Sequence, residues 1–255
     1  MDVRGYVEQQ AGAFFGELRQ WLAIPSISAD PGHHGDVRAS AGWLASHLRS
    51  IGFPEVEIWE TGGDGSPGLP AVYACWPAAD PAAPAVCVYG HHDVQPVEPL
   101  AEWDSPPFQP AERDGQLLAR GASDDKGQVM LHSLGLRAWL AAAGASAPPV
   151  TIKLLIEGEE ESGSPHFAEL LRARADHLAC DVIVVSDTTM WAAERARVHV
   201  GVRAVQRDLG CHHPAHPGAH GGHVGGPHGG VGHHDHVTGQ VVGPGPQQLG
   251  EMRRA

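Results

Sequence analysis

The stretch VTIKLLIEGEEESGS, residues Val150–Ser164, joins an apolar, β-branched run to three consecutive acids, Glu159, Glu160 and Glu161. The run Thr151–Ile156 predicts a strand that is buried on both faces. Adjacent carboxylates at the end of such a strand repel one another, and a bound cation such as a metal ion would relieve the repulsion. The alternative is a solvated acidic turn before a helix, whose positive N-terminus favours acids.

Predicted helices and strands alternate on both sides of this stretch. Apolar residues at helical spacing, together with capping and terminating residues, predict four helices. These are Val3–Leu22, Asp36–Ser50, Gln128–Ala143 and one near Pro165–His177, with Asp36 as the cap of the second. Short apolar runs predict strands at Val56–Trp59, Ala71–Trp76, Ala85–Tyr89 and Val182–Val185. The buried stripe of the third helix is predicted to contain Val129, Leu131, Leu134, Leu136 and Leu140. This alternation predicts the α/β class, with a mostly parallel sheet covered by helices.

Composition excludes several classes of protein. A formal net charge of −13 opposes binding to nucleic acid, because little positive charge is available to neutralise phosphates. The sequence shows no basic leader and no apolar run long enough for a bilayer, which predicts a cytoplasmic protein without a membrane partner. The four cysteines lack CxxC spacing, so we expect reduced thiols and neither a disulfide framework nor a zinc cluster of cysteines.

The composition changes abruptly near Ala204. Residues 1–204 alternate apolar runs and polar turns, whereas residues 205–255 are dominated by His, Gly and Pro and hold nine of the 18 histidines. A segment so poor in apolar residues cannot offset the conformational entropy lost on ordering. We therefore predict a globular domain over 1–204 and a disordered tail over 205–255.

Potential metal ligands follow the ends of the predicted strands. His91 and Asp93 follow one strand, Glu159–Glu161 follow another, Asp187 follows a third, and Asp124 precedes a helix. Because sites in open α/β sheets form outside the carboxyl ends of the strands, we expect these side chains to converge. Mixed His and carboxylate ligands suit Zn²⁺, with Mn²⁺ or Co²⁺ as substitutes, and a pair of ions held roughly 3.5–4 Å apart would share a bridging carboxylate.

Other hydrolase signatures are missing from the sequence. There is no HExxH helix of the one-zinc metalloproteases, no GxSxG elbow of serine hydrolases and no GxxxxGK phosphate loop. These absences leave the converging His and carboxylate residues as the main indication of chemistry.

Four motifs resemble the successive signatures of the M20 metallopeptidases, in particular the dipeptidase branch that includes carnosinase-like enzymes. They are GHHDVQP (Gly90–Pro96), RGASDDKG (Arg120–Gly127), EGEEESGS (Glu157–Ser164) and VVSDT (Val184–Thr188). They occur in the family's order, and the similarity extends from near the N-terminus to about Ala204. The resemblance implies a metal-dependent hydrolase of dipeptides with a zinc-peptidase-like catalytic domain and two divalent ions.

The resemblance also implies ligands for each ion. His91 and Asp187 would bind the first metal, Asp124 would bridge the two, and Glu161 would bind the second. Zinc is the expected metal, with manganese or cobalt as alternatives.

Two further residues receive catalytic roles from the resemblance. Glu160 would be the general base that takes a proton from the attacking water, and Asp93 would orient His91 from behind. Glu159, Asp125 and His92 receive no direct role, and local structure or fine-tuning of the site is the expected reason for their presence.

The family has more chain than this sequence matches. Its members insert a lid domain, which mediates dimerisation and supplies an oxyanion-stabilising histidine, and then return to the catalytic domain with the last ligand of the second metal. The match stops at His199–Ala204, where the lid would begin. The resemblance therefore implies a truncated catalytic domain with an incomplete second site, weak or no activity, and no family-type homodimer. A shifted reading frame in a GC-rich gene would explain the tail, and the nucleotide sequence past codon 204 tests this hypothesis.

Two alternatives to a dipeptidase remain open on the sequence alone. An amidase or deacylase acting on N-acyl amino acids would use the same metal machinery. A non-catalytic metal-binding protein would instead use its His-rich tail as the chelator.

Overall fold

A computed structural model describes residues 1–63, 65–113, 115–187, 199–202 and 240–242. Its α-helices are α1 Val3–Leu22, α2 His34–Ile51, α3 Lys126–Ala143, α4 Phe167–Ala173 and α5 Ala175–Leu178. Its strands are β1 Glu55–Trp59, β2 Gly62–Gly63, β3 Ser66–Pro67, β4 Ala71–Trp76, β5 Ala85–His91, β6 Ala111–Arg113, β7 Gln116–Leu118, β8 Thr151–Glu157, β9 Val182–Val185, β10 His199–Val202 and β11 Gln240–Val242. The strands predicted on each side of Val150–Ser164 are all present.

The main sheet has the strand order β1-β4-β8-β5-β9-β10. The three central strands are parallel, because β5 pairs in parallel with both β8 and β9. The outer pairs β1–β4, β4–β8 and β9–β10 are antiparallel. The predicted α/β class is confirmed, in the form of a mixed sheet whose parallel pairing is confined to its centre.

Helices cover both faces of this sheet. Alternate residues of a strand point to opposite faces, so Val72 and Ala74 of β4 pack with α1, α2 and α3, while Tyr73 between them packs on the other side with Leu170 of α4. The first face holds the larger core, in which Trp21 of α1 is fully buried. Burial on both faces explains why β8 is a continuous apolar run.

The carboxyl ends of the parallel strands lie at one edge of the sheet. In the β5–β8 pairing His91 is opposite Glu157, and in the β5–β9 pairing Tyr89 is opposite Val185. The turn that follows β8, Gly158–Ser164, is here called the acidic turn; it contains a short 3₁₀ helix at Glu160–Ser162. It therefore lies beside the end of β5, and Asp187 follows β9 at the same edge.

Two helix predictions need correction. Asp36 does not cap the second helix: α2 begins at His34, and Asp36 lies in its first turn with its carboxylate 2.7 Å from His33 Nδ1. An acid is favourable in that turn as well as at the cap, so the pattern did not separate the two positions. Leu131 of α3 is 61% exposed, because the buried stripe runs instead through Met130, Leu134 and Ala138, which are four residues apart.

The helix predicted near Pro165–His177 is two short helices, α4 and α5, which meet at Arg174. The predicted tail, 205–255, lies outside the described residues except for β11, which pairs with β7. Among the residues that the structure describes, none of the helices has the length and apolar character needed to cross a bilayer.

Candidate metal centre

His91, the last residue of β5, lies at the centre of the candidate site. Its side chain is completely buried, and its Nε2 atom is 3.0 Å from Asp124 Oδ1 and 3.7 Å from Asp187 Oδ2. The Nε2 atom is also 4.0 Å from Glu160 Oε2. The sheet edge thus brings together one imidazole nitrogen and three carboxylates that are far apart in the sequence.

His91, Asp124 and Asp187 form a group that could hold a metal ion, here called the His–Asp cluster. One donor atom from each residue lies within 4.8 Å of the other two. Their chemistry, one imidazole and two carboxylates, fits a divalent ion such as zinc. The Asp124 side chain is 57% exposed, so the cluster is reachable from solvent on the side away from the core.

Asp93 holds the other ring nitrogen of His91. The Nδ1 atom of His91 is 3.1 Å from the Asp93 carbonyl oxygen and 3.4 Å from its Oδ1. In the neutral imidazole these acceptors favour a proton on Nδ1, which leaves the Nε2 lone pair for a metal. The second Asp93 oxygen, Oδ2, accepts a hydrogen bond of 3.0 Å from the backbone N–H of Glu161, so Asp93 also ties the acidic turn to β5.

The electrostatics of the site reflect the crowding of acids around one imidazole. Burial alone would lower the pKa of His91, but the carboxylates of Asp124 and Asp93 outweigh it and raise that pKa well above its usual value. Burial raises the pKa of Glu160. The charge of His91 lowers that pKa, and the charge of Asp187 raises it further. A raised pKa makes the Glu160 carboxylate a stronger base than a free one, as acceptance of a proton from water requires.

Glu161, the predicted ligand of a second metal, lies outside the His–Asp cluster. Its Oε2 accepts a hydrogen bond of 2.6 Å from Gln95 Nε2, and the same amide group lies 3.2 Å from the Glu161 carbonyl oxygen. Burial, followed by the charge of Asp124, raises the pKa of the Glu161 carboxyl to about 7. Among the described residues, the structure gathers donors for one ion and not for two.

Residues without an assigned role in the sequence also contribute to this edge. Asp125 is fully buried, and its Oδ2 accepts a hydrogen bond of 3.1 Å from the backbone N–H of His91. Glu157, at the end of β8, accepts hydrogen bonds from the hydroxyl of Tyr89 and from Ser164 Oγ. The position of Glu157 at the end of a predicted strand was the available signal, whereas its hydrogen bond to Tyr89 could not be predicted from the sequence.

The buried acids predict how stability depends on pH in the metal-free protein. Burial raises the pKa of Asp125 to about 8 and those of Glu157 and Glu161 to about 7, and neighbouring carboxylates raise that of His91. The folded state then binds more protons than the unfolded state near neutrality, so stability falls as the pH rises through these values. Lys126 opposes this trend, since burial lowers its pKa to about 7.

We expect the free energy of unfolding to fall by roughly 1–2 kcal/mol between about pH 6.5 and pH 8.5, after allowance for partial exposure and for Lys126. Urea titrations of the protein in the presence of a chelator at each pH measure this change. Stability that rises over the same interval would contradict the assignment of these buried groups as protonated in the folded state.

Comparison with known proteins supports a divalent-metal site at this edge of the sheet. The model of the Peptidase family M20/M25/M40 matches residues 87–240, which include every member of the His–Asp cluster and the acidic turn. The chain belongs to this family of peptidases, and divalent metal binding is a property that the family implies.

Several proteins similar to the chain are named as dipeptidases. A Beta-Ala-His dipeptidase of Mus musculus is 33% identical over 204 residues, which cover 74% of this chain and 40% of the mouse protein. A Cys-Gly metallodipeptidase of Saccharomyces cerevisiae is 29% identical over 200 residues, covering 74% of this chain and 41% of the yeast protein. The crystal structure of human carnosine dipeptidase 1 aligns with a TM-score of 0.67 at 32% identity, over 74% of this chain and 41% of the human one. The chain thus spans well under half the length of these relatives.

Proposed function

We propose that this chain carries the metal-binding and proton-transfer part of a dipeptidase that hydrolyses the amide bond of small peptides. The observation that carries the proposal is the His–Asp cluster at the carboxyl edge of the sheet, with Glu160 Oε2 4.0 Å from the His91 nitrogen. The dipeptidase relatives support peptides as substrates over N-acyl amino acids. The same relatives support a hydrolase over a non-catalytic metal-binding protein.

In the proposed reaction, His91, Asp124 and Asp187 would hold a divalent ion, which would polarise the substrate carbonyl and make water more acidic. Glu160 takes a proton from the attacking water and delivers it to the departing amine, so that the amide bond breaks without release of a free amide anion. Asp93 favours the neutral tautomer of His91 that carries its proton on Nδ1 and leaves Nε2 free as a ligand, and its bond to the Glu161 N–H holds the acidic turn beside it.

Zinc is the proposed metal, with manganese and cobalt as substitutes, because the donors are one imidazole nitrogen and carboxylate oxygens. Glu161 and Asp124 are the proposed ligands of a second ion, and the described residues provide no third donor for it. We therefore propose weak binding of the second ion and weak hydrolysis by this chain. The family resemblance places dimerisation in a lid beyond about Ala204, where the four motifs end, so we propose no family-type homodimer of this chain.

A substrate panel tests the proposed function. We expect the purified chain, loaded with Zn²⁺ or Mn²⁺, to release amino acids from β-Ala-His and Cys-Gly at a low rate that a chelator abolishes. N-acetyl amino acids serve as the matched comparison, because they carry a similar amide bond without the free amino group. Faster hydrolysis of N-acetyl amino acids than of dipeptides would replace the proposal with an amidase, and no metal-dependent hydrolysis of either class would reject it for this chain.

A further inference from the structure

The segment Leu69–Pro70, just before β4, contacts two of the motifs that supply the candidate site, the acidic turn and the end of β5. The backbone N–H of Leu69 donates a hydrogen bond of 3.0 Å to Glu159 Oε1, and the Pro70 carbonyl oxygen accepts one of 2.9 Å from His92 Nε2. Both side chains are buried, at 6% exposure for Glu159 and 0% for His92. Glu159 precedes Glu160 and His92 follows His91, so each side chain adjoins a residue of the proposed machinery.

Close packing shows that the acidic turn lies directly against this segment. A Cβ atom added to Gly158 would lie 2.6 Å from the Pro70 carbonyl oxygen and 2.9 Å from His92 Nε2. Real Cβ atoms essentially never approach other atoms so closely, so the turn needs glycine here to reach its position. The contact leaves little room for the turn to shift relative to the end of β5.

The remaining partners of Glu159 fix its orientation. Oε2 accepts a hydrogen bond of 3.3 Å from Thr61 Oγ1, and His166 Nδ1 is 3.1 Å from both carboxylate oxygens. The other ring nitrogen of His166 is 3.1 Å from Ser66 Oγ. This Ser66–His166–Glu159 connectivity resembles that of a serine hydrolase, but Ser66 lies on an exposed hairpin open to water. We therefore assign the chain of hydrogen bonds to holding Glu159 in place.

We propose that Leu69–Pro70 is a brace shared by the two motifs, and that Glu159 is a positioning residue that holds the acidic turn on it. Through this brace Glu159 sets where Glu160 and Glu161 stand relative to His91, whose own motif is fixed to the same segment by His92. The effect of Glu159 on hydrolysis rests on the proposed dipeptidase function, whereas its effect on the position of the acidic turn does not.

Three variants of the full chain test the brace. Glu159→Ala removes both acceptor oxygens, Glu159→Gln keeps an oxygen for the Leu69 N–H, and Glu17→Ala is the control. Glu17 is a suitable control because it also pairs with a buried histidine and a second partner, at 3.3 Å from His47 and 2.9 Å from Arg137, on helices away from the turn. The first measurement is hydrogen exchange of the backbone amides of residues 158–164 in metal-free protein.

We expect Glu159→Ala to speed the exchange of the Glu161 and Ser164 amides at least about tenfold, with Glu159→Gln close to the wild type and Glu17→Ala without effect on this segment. In protein loaded with Zn²⁺, kcat for dipeptides should be about 10- to 100-fold lower in Glu159→Ala than in the wild type, while KM stays within about twofold. The reason is that a misplaced Glu160 slows the chemical step and leaves substrate binding unchanged.

The two measurements separate the possible failures. If Glu159→Ala exchanges like the wild type and loses only thermal stability, as Glu17→Ala does, Glu159 is a stabilising contact and the brace is rejected. An exchange rate in Glu159→Gln as fast as in Glu159→Ala would also reject it, because the retained acceptor oxygen should preserve the bond to Leu69. The hydrogen-exchange measurement needs neither bound metal nor hydrolysis. An inactive wild-type chain would therefore count against the proposed function, and the exchange rates would still show whether Glu159 holds the acidic turn on Leu69–Pro70.

Discussion

Replacement of Glu160 by alanine is expected to lower kcat for dipeptide hydrolysis by about 10²- to 10⁴-fold, the contribution typical of a positioned general base. The carboxylate stands 4.0 Å from His91 Nε2, close enough to serve the attacking water, and burial raises its pKa towards the range useful for proton transfer. Its side chain is 36% exposed, so truncation should leave the core intact. Initial rates at saturating Zn²⁺, with metal content measured on the same samples, test this expectation.

The metal content of Glu160→Ala should match that of the wild type, because Glu160 is not part of the His–Asp cluster. Glu169→Ala is the matched control, since Glu169 is an exposed carboxylate in the first turn of α4. A Glu160→Ala protein that hydrolyses dipeptides at the wild-type rate would place the base elsewhere. A protein that loses both metal and activity would instead make Glu160 a ligand.

The elements of the fold could be predicted because their signals are local. A continuous apolar run such as Thr151–Ile156 indicates a doubly buried strand, and left-handed glycines such as Gly52 end helices as expected. The strand order could not be predicted, since β4 and β8 pair antiparallel although β5, β6, β7 and α3 lie between them in the chain. Antiparallel and parallel partners both bury apolar residues on two faces, so the hydrophobic pattern of β8 does not distinguish them.

The candidate site was predictable to the extent that it follows from where strands end. The positions of His91 and Asp187 after parallel strands indicated their convergence, and the structure brings them to 3.7 Å. The supporting contacts gave no such signal. Gln95 and Glu161 are 66 residues apart, and Leu69 and Glu159 are 90 apart, and neither Gln95 nor Leu69 belongs to a residue type that marks a site. Such partners become visible only when the chain is folded.

The substitution His91→Asn is expected to weaken the binding of the first metal ion by at least about 100-fold, since loss even of an outer partner of a ligand typically costs 10- to 100-fold. Asparagine is chosen because its side-chain amide reproduces the Nδ1 donor position, which preserves the bond to Asp93, while it removes the Nε2 nitrogen. Alanine would remove the imidazole that lies 3.4 Å from the buried Asp93 carboxylate, leaving it the Glu161 N–H as a donor, and would combine a folding defect with the loss of the ligand. Isothermal titration with Zn²⁺ measures the affinity directly.

His47→Asn is the matched control for this substitution. His47 is also buried, at 6% exposure, and its Nδ1 lies 3.3 Å from a carboxylate, that of Glu17, so asparagine keeps that contact while losing the bond from Nε2 to Ser133. Both variants retain the nine histidines beyond residue 204, so any metal bound there contributes equally to each titration. If His91→Asn and His47→Asn bind the ion with equal affinity, the His–Asp cluster is not the metal site. If only His91→Asn loses the ion, metal binding depends on the nitrogen at the end of β5, because Asp124 and Asp187 alone supply too few ligands for a divalent ion such as zinc.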